Sequence, residues 1–154
     1  MNAAKIQQEL LKALVVDPSK VRTLALDDGK VFLTVDGTVG WILPQEQLRI
    51  SLEGTQFSAN VFLDGDAVIK PENQLKATDE YRLGGCARRY YRTDELGDLE
   101  EVYIDTSKLK FFEHPTVYQD MRYPSILYIT EDLYGNGDPV WVGIVRPVKV
   151  NTEN

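Results

Sequence analysis

Cys86 and Arg92 stand six positions apart in GGCARRYYR (residues 84–92), which is the C-x5-R spacing of a cysteine-dependent phosphatase loop. That chemistry makes firm demands on the residues between them. Their backbone N–H groups must converge on one phosphate, which favours small, flexible side chains, and the arginine must close on the anion bidentately. The thiol needs a lowered pKa, as at a helix N-terminus, and a nearby acid must protonate the leaving group. The residues present are Ala87, Arg88, Arg89, Tyr90 and Tyr91, of which four are bulky and none is glycine. Adjacent tyrosines favour a strand over a cradle. No helical pattern follows Arg92. The stretch therefore reads as a strand, with Gly84-Gly85 marking a bulge or sharp bend before it and Cys86 a small, partly buried residue. A thiol enzyme using Cys86 is the last of three functional readings.

Other chemistry-bearing residues are sparse. TDELGDLEEVYID (93–105) carries Asp94, Glu95, Asp98, Glu100, Glu101 and Asp105, just downstream of Arg82, Arg88, Arg89 and Arg92. A hairpin turning at residues 95–98 lays the arginine strand against the acidic one, each opposite-charge pair contributing roughly 0.2–1 kcal/mol. The alternative, a calcium loop, lacks the D-x-[DN]-x-[DN]-G spacing. DLYGNGDP (132–139) also gathers acids around glycines. Between two strand-like runs it reads as a hairpin turn at Gly135-Asn136-Gly137-Asp138. His114 is the one histidine, and with the one cysteine it cannot complete a zinc site. No G-x-S-x-G, phosphate-binding glycine loop or H-E-x-x-H is present. The expectation leans away from an enzyme: no catalytic residue, no cofactor and no metal.

Binding is the stronger theme. Tyrosine and arginine are enriched at interface hot spots, and Arg88, Arg89, Tyr90, Tyr91 and Arg92 form such a cluster. The same residue types could stack the bases of a single strand. An ordinary sheet surface is the plain alternative. In a strand Tyr90 and Tyr91 face opposite ways, so one of them faces solvent or a partner.

The elements that position this cluster follow from periodicity. Ile6, Leu10, Leu11 and Leu14 fall at helical spacing, and Asp17-Pro18 stops that helix. Residues 21–43 change to period two, with Asp28-Gly29 and Asp36-Gly37 as turns, and predict three short antiparallel strands. Pro44 opens a short helical segment over PQEQLRISL, ended by Gly54. Asp64-Gly65 is a further turn signal. In the second half, EVYID, TVYQD, SILYITED and VWVGIVRPVKV read as strands and TSKLKFF as a short helix. WILPQEQLRI (41–50) aligns without a gap on VYIDTSKLKF (102–111), each following a hairpin. Any strand-to-helix transition shares that pattern; a duplication would give two related hairpin-plus-helix units. The fold class expected is α+β, mainly antiparallel sheet with an N-terminal helix and one or two short helices. The chain reads as one domain, or as fused halves 1–70 and 78–150 joined by the polar linker 71–77.

The 154 residues suit one core, since a chain of this size buries roughly 68–70% of its unfolded surface. The apolar share of 43% and charged share of 27% are those of a globular domain. A net charge of −7 disfavours duplex DNA and anionic membrane as partners. A single cysteine gives no internal disulfide, and neither a leader nor an 18-residue apolar run is visible, so the expectation is a soluble cytoplasmic protein.

Two resemblances follow from longer stretches. YITEDLYGNGDPVWVGIVRPVKV and VFLTVDGTVGWILP resemble small proteins of bacterial prophages and mobile elements. VYIDTSKLKFF, followed by strands and VGIVRPVKV, is similar to the closing unit of bacterial sliding-clamp domains. There a strand and helix precede three strands and a Met-Pro-Met-Arg-Leu tail, where this chain has Arg146-Pro147-Val148-Lys149-Val150. The first resemblance implies a mobile-element origin. With the Arg–Tyr cluster and the lack of a catalytic constellation, the function expected is a non-catalytic binding or accessory protein acting through protein–protein contacts on a sheet face, or self-association. The second resemblance implies a clamp-like fold with two strand-and-helix units, and a clamp-like, nucleic-acid-associated protein is the alternative function.

Overall fold

A computed structural model of the chain describes residues 1–57, 65–92 and 101–150. The first helix, α1 (Ala3–Val16), starts where the Asn2 side chain accepts from the Lys5 N–H and ends at extended Asp17, ahead of Pro18. Its buried residues are Ile6 and Leu10. Leu11, expected on the same face, is exposed. At 3.6 residues per turn it lies about 140° round from Ile6, beyond the stripe that touches the core.

Strands β1 (Arg22–Ala25), β2 (Lys30–Thr34) and β3 (Val39–Pro44) form the expected antiparallel meander. The turn between β1 and β2 places both Asp28 (φ 66°) and Gly29 (φ 70°) in the left-handed region, which aspartate and glycine tolerate. The helix expected from Pro44 is only a 3-10 turn at Gln45–Gln47. Beyond it Leu48, Ile50 and Leu52 are half-buried while Arg49, Ser51 and Glu53 are exposed, the period-two burial of extended chain. Burial of alternate side chains overrides helical propensity here. Strand β4 (Gln56–Phe57) adds to β1 in parallel. Asp64 lies outside the described residues, and Gly65 begins the single helical turn α2 (Gly65–Val68).

The stretch read as a linker, 71–77, is not coil. It holds a 3-10 turn at Pro71–Asn73 and the start of β5 (Gln74–Arg82), with Leu75 buried. Its polar composition is that of an exposed strand with one buried residue. β6 (Ala87–Arg92) and β7 (Glu101–Asp105) follow, antiparallel to β5 and to each other. The turn expected at 95–98 lies outside the described residues. α3 (Thr106–Leu109) is one turn capped by Asp105, whose carboxylate accepts from the Ser107 N–H and hydroxyl. β8 (Thr116–Gln119), β9 (Leu127–Glu131) and β10 (Val140–Val145) complete the strands.

All ten join in one sheet, ordered β4-β1-β2-β3-β10-β9-β8-β5-β6-β7 and antiparallel except at β4. An isolated antiparallel bridge joins Tyr103 of β7 to Val148, three residues past β10. The series from β10 through β9, β8, β5 and β6 to β7 therefore returns to the chain segment it started from. The side chains facing into this ring form the main core. They include Leu75, Tyr90, Val102, Ile104, Val117, Leu127, Ile129 and Val145, joined by Ile6 and Leu10 of α1. The other face of β2, β3, β9 and β10 carries a second cluster of Phe32, Ile42, Tyr128 and Ile144, which Val68 of α2 covers. The fold is α+β, mainly antiparallel sheet with an N-terminal helix and few short helices.

The two segments of the internal echo each end a three-stranded meander, β1-β2-β3 and β5-β6-β7. Where the clamp-like expectation has a helix in each unit, the second has the single turn α3 and the first only a 3-10 turn.

Candidate functional site

The hairpin β5–β6 carries all five residues singled out from the sequence, and the strand splits them between its faces. In the observed register Tyr81 opposes Arg88, Ala77 opposes Tyr90 and Leu75 opposes Arg92, so these share the inward face. Tyr90 is buried in the core, and burial raises its phenol pKa, with the Arg88 charge working against that shift. Arg92 reaches across to donate to the Gln119 carbonyl. Arg88 covers the outer end of the core: its Nε donates to the Thr78 carbonyl at 2.8 Å, and its guanidinium lies 5.7 Å from the Tyr81 ring centroid and 5.9 Å from that of Tyr90.

Arg89 and Tyr91 lie on the outward face. Arg89 sits between two acids, Glu80 on β5 and Glu101 on β7, the latter at 3.2 Å. The Glu80 hydrogen bond is the main reason its pKa is raised. This matches the cross-strand charge pairing expected between the arginine strand and Glu101. The Glu80 partner, upstream of the glycines, is one that chain order alone does not suggest. Arg89 is thus committed to the sheet, as Tyr90 and Arg92 are. Of the five, Arg88 and Tyr91 keep surface to offer a partner.

The phosphatase spacing does not form a loop. Cys86 precedes an extended strand that ends at Arg92, so the two lie about 20 Å apart at roughly 3.3 Å per residue. Cys86 is exposed, not partly buried. Its side chain falls on the tight turn between β5 and β6, outside the core.

That turn holds what the sequence reasoning missed. Leu83, Gly84 and Gly85 all have positive φ, at 53°, 68° and 93°. A left-handed backbone is ordinary for the glycines and costs a leucine roughly 1–2 kcal/mol. The Leu83 side chain nevertheless stands 60% exposed, and Tyr81 beside it 43% exposed. Between them Arg82 donates to the Tyr81 carbonyl, and among the described residues it has no acidic partner within ion-pair distance. The signal available in the sequence was Leu83 directly before Gly84-Gly85, an apolar residue in a turn that calls for a polar one.

A second concave region lies at the far end of β9. Glu131 is 4% exposed there. Its carboxylate receives the Glu113 and His114 backbone N–H groups and the Met1 ammonium. It lines a cavity of about 440 Å³ with Glu113, His114, Asp132 and Leu133. Met1 and Leu133 also line an adjoining apolar cavity of about 300 Å³, floored by Ile42, Pro44 and Trp141. Tyr134 stands 77% exposed at its lip. The loop that forms this lip is eight residues long, not a tight turn: Asp132 accepts the backbone N–H groups of Asn136 and Gly137. Among the described residues no three acids, histidines or cysteines are grouped to hold a metal ion, and no helix is long and apolar enough to cross a membrane.

Comparison of the chain with protein-family models, with curated proteins and with solved structures finds no match.

Proposed function

We propose that this chain is a non-catalytic protein-binding module whose docking surface is the outer end of the β5–β6 hairpin. The observation that carries this reading is Leu83, an exposed apolar side chain held on a left-handed backbone, beside exposed Tyr81 and the cation of Arg82, which has no acidic partner among the described residues. Neither packing nor backbone conformation favours a leucine there, and strained backbone concentrates at functional positions. Tyrosine and arginine beside it are the residue types that dominate interface energetics. Arg88, stacked on Tyr81, gives the patch a fixed cationic shoulder.

The test places a photo-crosslinking phenylalanine derivative at position 81 and, as a control, at position 11 on the exposed side of α1. Protein adducts should form at position 81 and fall away when Leu83→Asp is added, while adducts at position 11 do not change. Equal adducts at both positions, or insensitivity to Leu83→Asp, would refute the assignment.

A further inference from the structure

The hairpin tip and the cleft beside Met1 are complementary, and we infer that the partner of the tip is a second copy of this chain, docked head to tail. This rests on the docking role of the hairpin given above and names its occupant. The tip presents an apolar side chain, Leu83, next to a cation, Arg82, with no acidic partner among the described residues. The cleft presents an apolar floor of Ile42, Pro44 and Trp141 joined to an acidic wall of Glu113 and Asp132. Leu133 lines both parts and Tyr134 the apolar one, and both side chains are exposed. A leucine fits the 300 Å³ apolar part, and an arginine one residue away then meets the acidic part.

Charge supports this occupant over a general one. Lys30 borders the apolar end of the cleft, so a cation is favoured only on the side of Glu113 and Asp132. Of the acids near the tip, Asp79 pairs with Arg88 and Glu80 with Arg89 on the hairpin, and Asp105, opposite Ala87 on β7, accepts from the Ser107 N–H and hydroxyl. The buried Glu131 is neutralised by the Met1 ammonium, which leaves the two exposed acids to face the incoming arginine.

Tip and cleft are different surfaces of one molecule, so the contact is heterologous. Each copy that docks leaves one free tip and one free cleft, and the assembly grows until it closes into a ring or continues as a filament. This geometry makes a complementation experiment decisive. Leu83→Asp removes the tip and Tyr134→Asp removes the cleft lip; both side chains are exposed, so the fold is kept. Light scattering after size exclusion should show the unaltered chain gaining mass with concentration and each variant weakened by roughly thirtyfold in self-affinity. Mixed one to one, the two variants have one intact tip and one intact cleft between them and should form a dimer that goes no further. Arg82→Glu with Glu113→Arg is the second pair: each alone should weaken association, and both in one chain should restore it.

A chain that stays at 17.5 kDa at every concentration overturns the proposal. So does association that either variant leaves unchanged, or variants that fail to complement. If the chain is monomeric while position 81 still gives adducts sensitive to Leu83→Asp, the hairpin docks a different protein and only the second-copy occupant is lost.

Discussion

At the scale of single residues, two positions concentrate the local cost of the fold, and they act in opposite directions. Gly143 in β10 lies where a Cβ would come within 2.4 Å of the Gly40 carbonyl oxygen and 2.8 Å of Phe112 Cζ. The backbone oxygen cannot turn aside as a side chain could. Gly143→Ala should therefore destabilise the chain by about 3 kcal/mol, read as a lower urea midpoint at unchanged slope. Leu83 carries strain of the opposite kind. Leu83→Asn replaces a residue that resists positive φ by one that accepts it, and should hold or raise stability by up to about 1 kcal/mol while weakening the contact proposed for the hairpin tip. A loss of stability in that variant would show that Leu83 is held by packing and has no spare side chain to offer.

At the scale of elements, the β5–β6–β7 ribbon explains why an arginine-rich strand is not a basic surface. Arg89, on the middle strand, is flanked by Glu80 and Glu101. A double-mutant cycle between Arg89→Ala and Glu101→Ala should give a coupling below about 1 kcal/mol that shrinks with added salt. A larger, salt-insensitive coupling would mean that the pair is shielded from water. The outer edge of β5 needs separate protection. β8 covers it only at Gln74 and Leu75. Continuing that register would set Ala77 against Pro115, which has no N–H to donate. Beyond that point Asp79, Glu80 and Arg82, with a bulge between Ala77 and Tyr81, keep the edge from pairing with another strand. The edge of the hairpin is thus withheld from strand pairing.

At the scale of the whole molecule, the return of β7 to Val148 ties the last strand to both meanders, since β10 also pairs with β3. Unfolding that ring in parts would expose the core they share. Fluorescence of Trp41 and Trp141 and far-ultraviolet circular dichroism should report one coincident urea transition. Two separated transitions would divide the chain into independent halves. Acid should act through its paired carboxylates. Asp120 has its pKa lowered, first by the Arg122 side-chain hydrogen bond and further by the Arg122 backbone N–H and the Arg92 charge. A group with a depressed folded pKa contributes stability that is full above its unfolded value, 3.8 here, and is lost as pH falls through the folded value. Melting temperature should accordingly be level near neutrality and drop below about pH 4. Asp120→Asn should lower it at pH 7 and narrow the gap from the unaltered chain in strong acid.

What the sequence determined alone is local: the helix stopped before Pro18, the meander with its Asp-Gly turns, the strand that places Tyr90 and Tyr91 on opposite faces, and the α+β class. Period and turn chemistry act over a few residues, so they can be read in chain order. Tertiary structure decided which of those residues remain available. Tyr90 is buried because β7 and β8 bring Val102 and Val117 into the same core. Arg89 is occupied because β5 sets Glu80 beside it. Cys86 and Leu83 are exposed because no strand among the described residues covers the hairpin tip. The Glu131 cleft exists only because β9 meets the chain's first residue, 130 positions away in sequence. Alternation along a strand says that two faces exist. Which face is covered depends on pairings between distant segments, and no short-range rule carries that information.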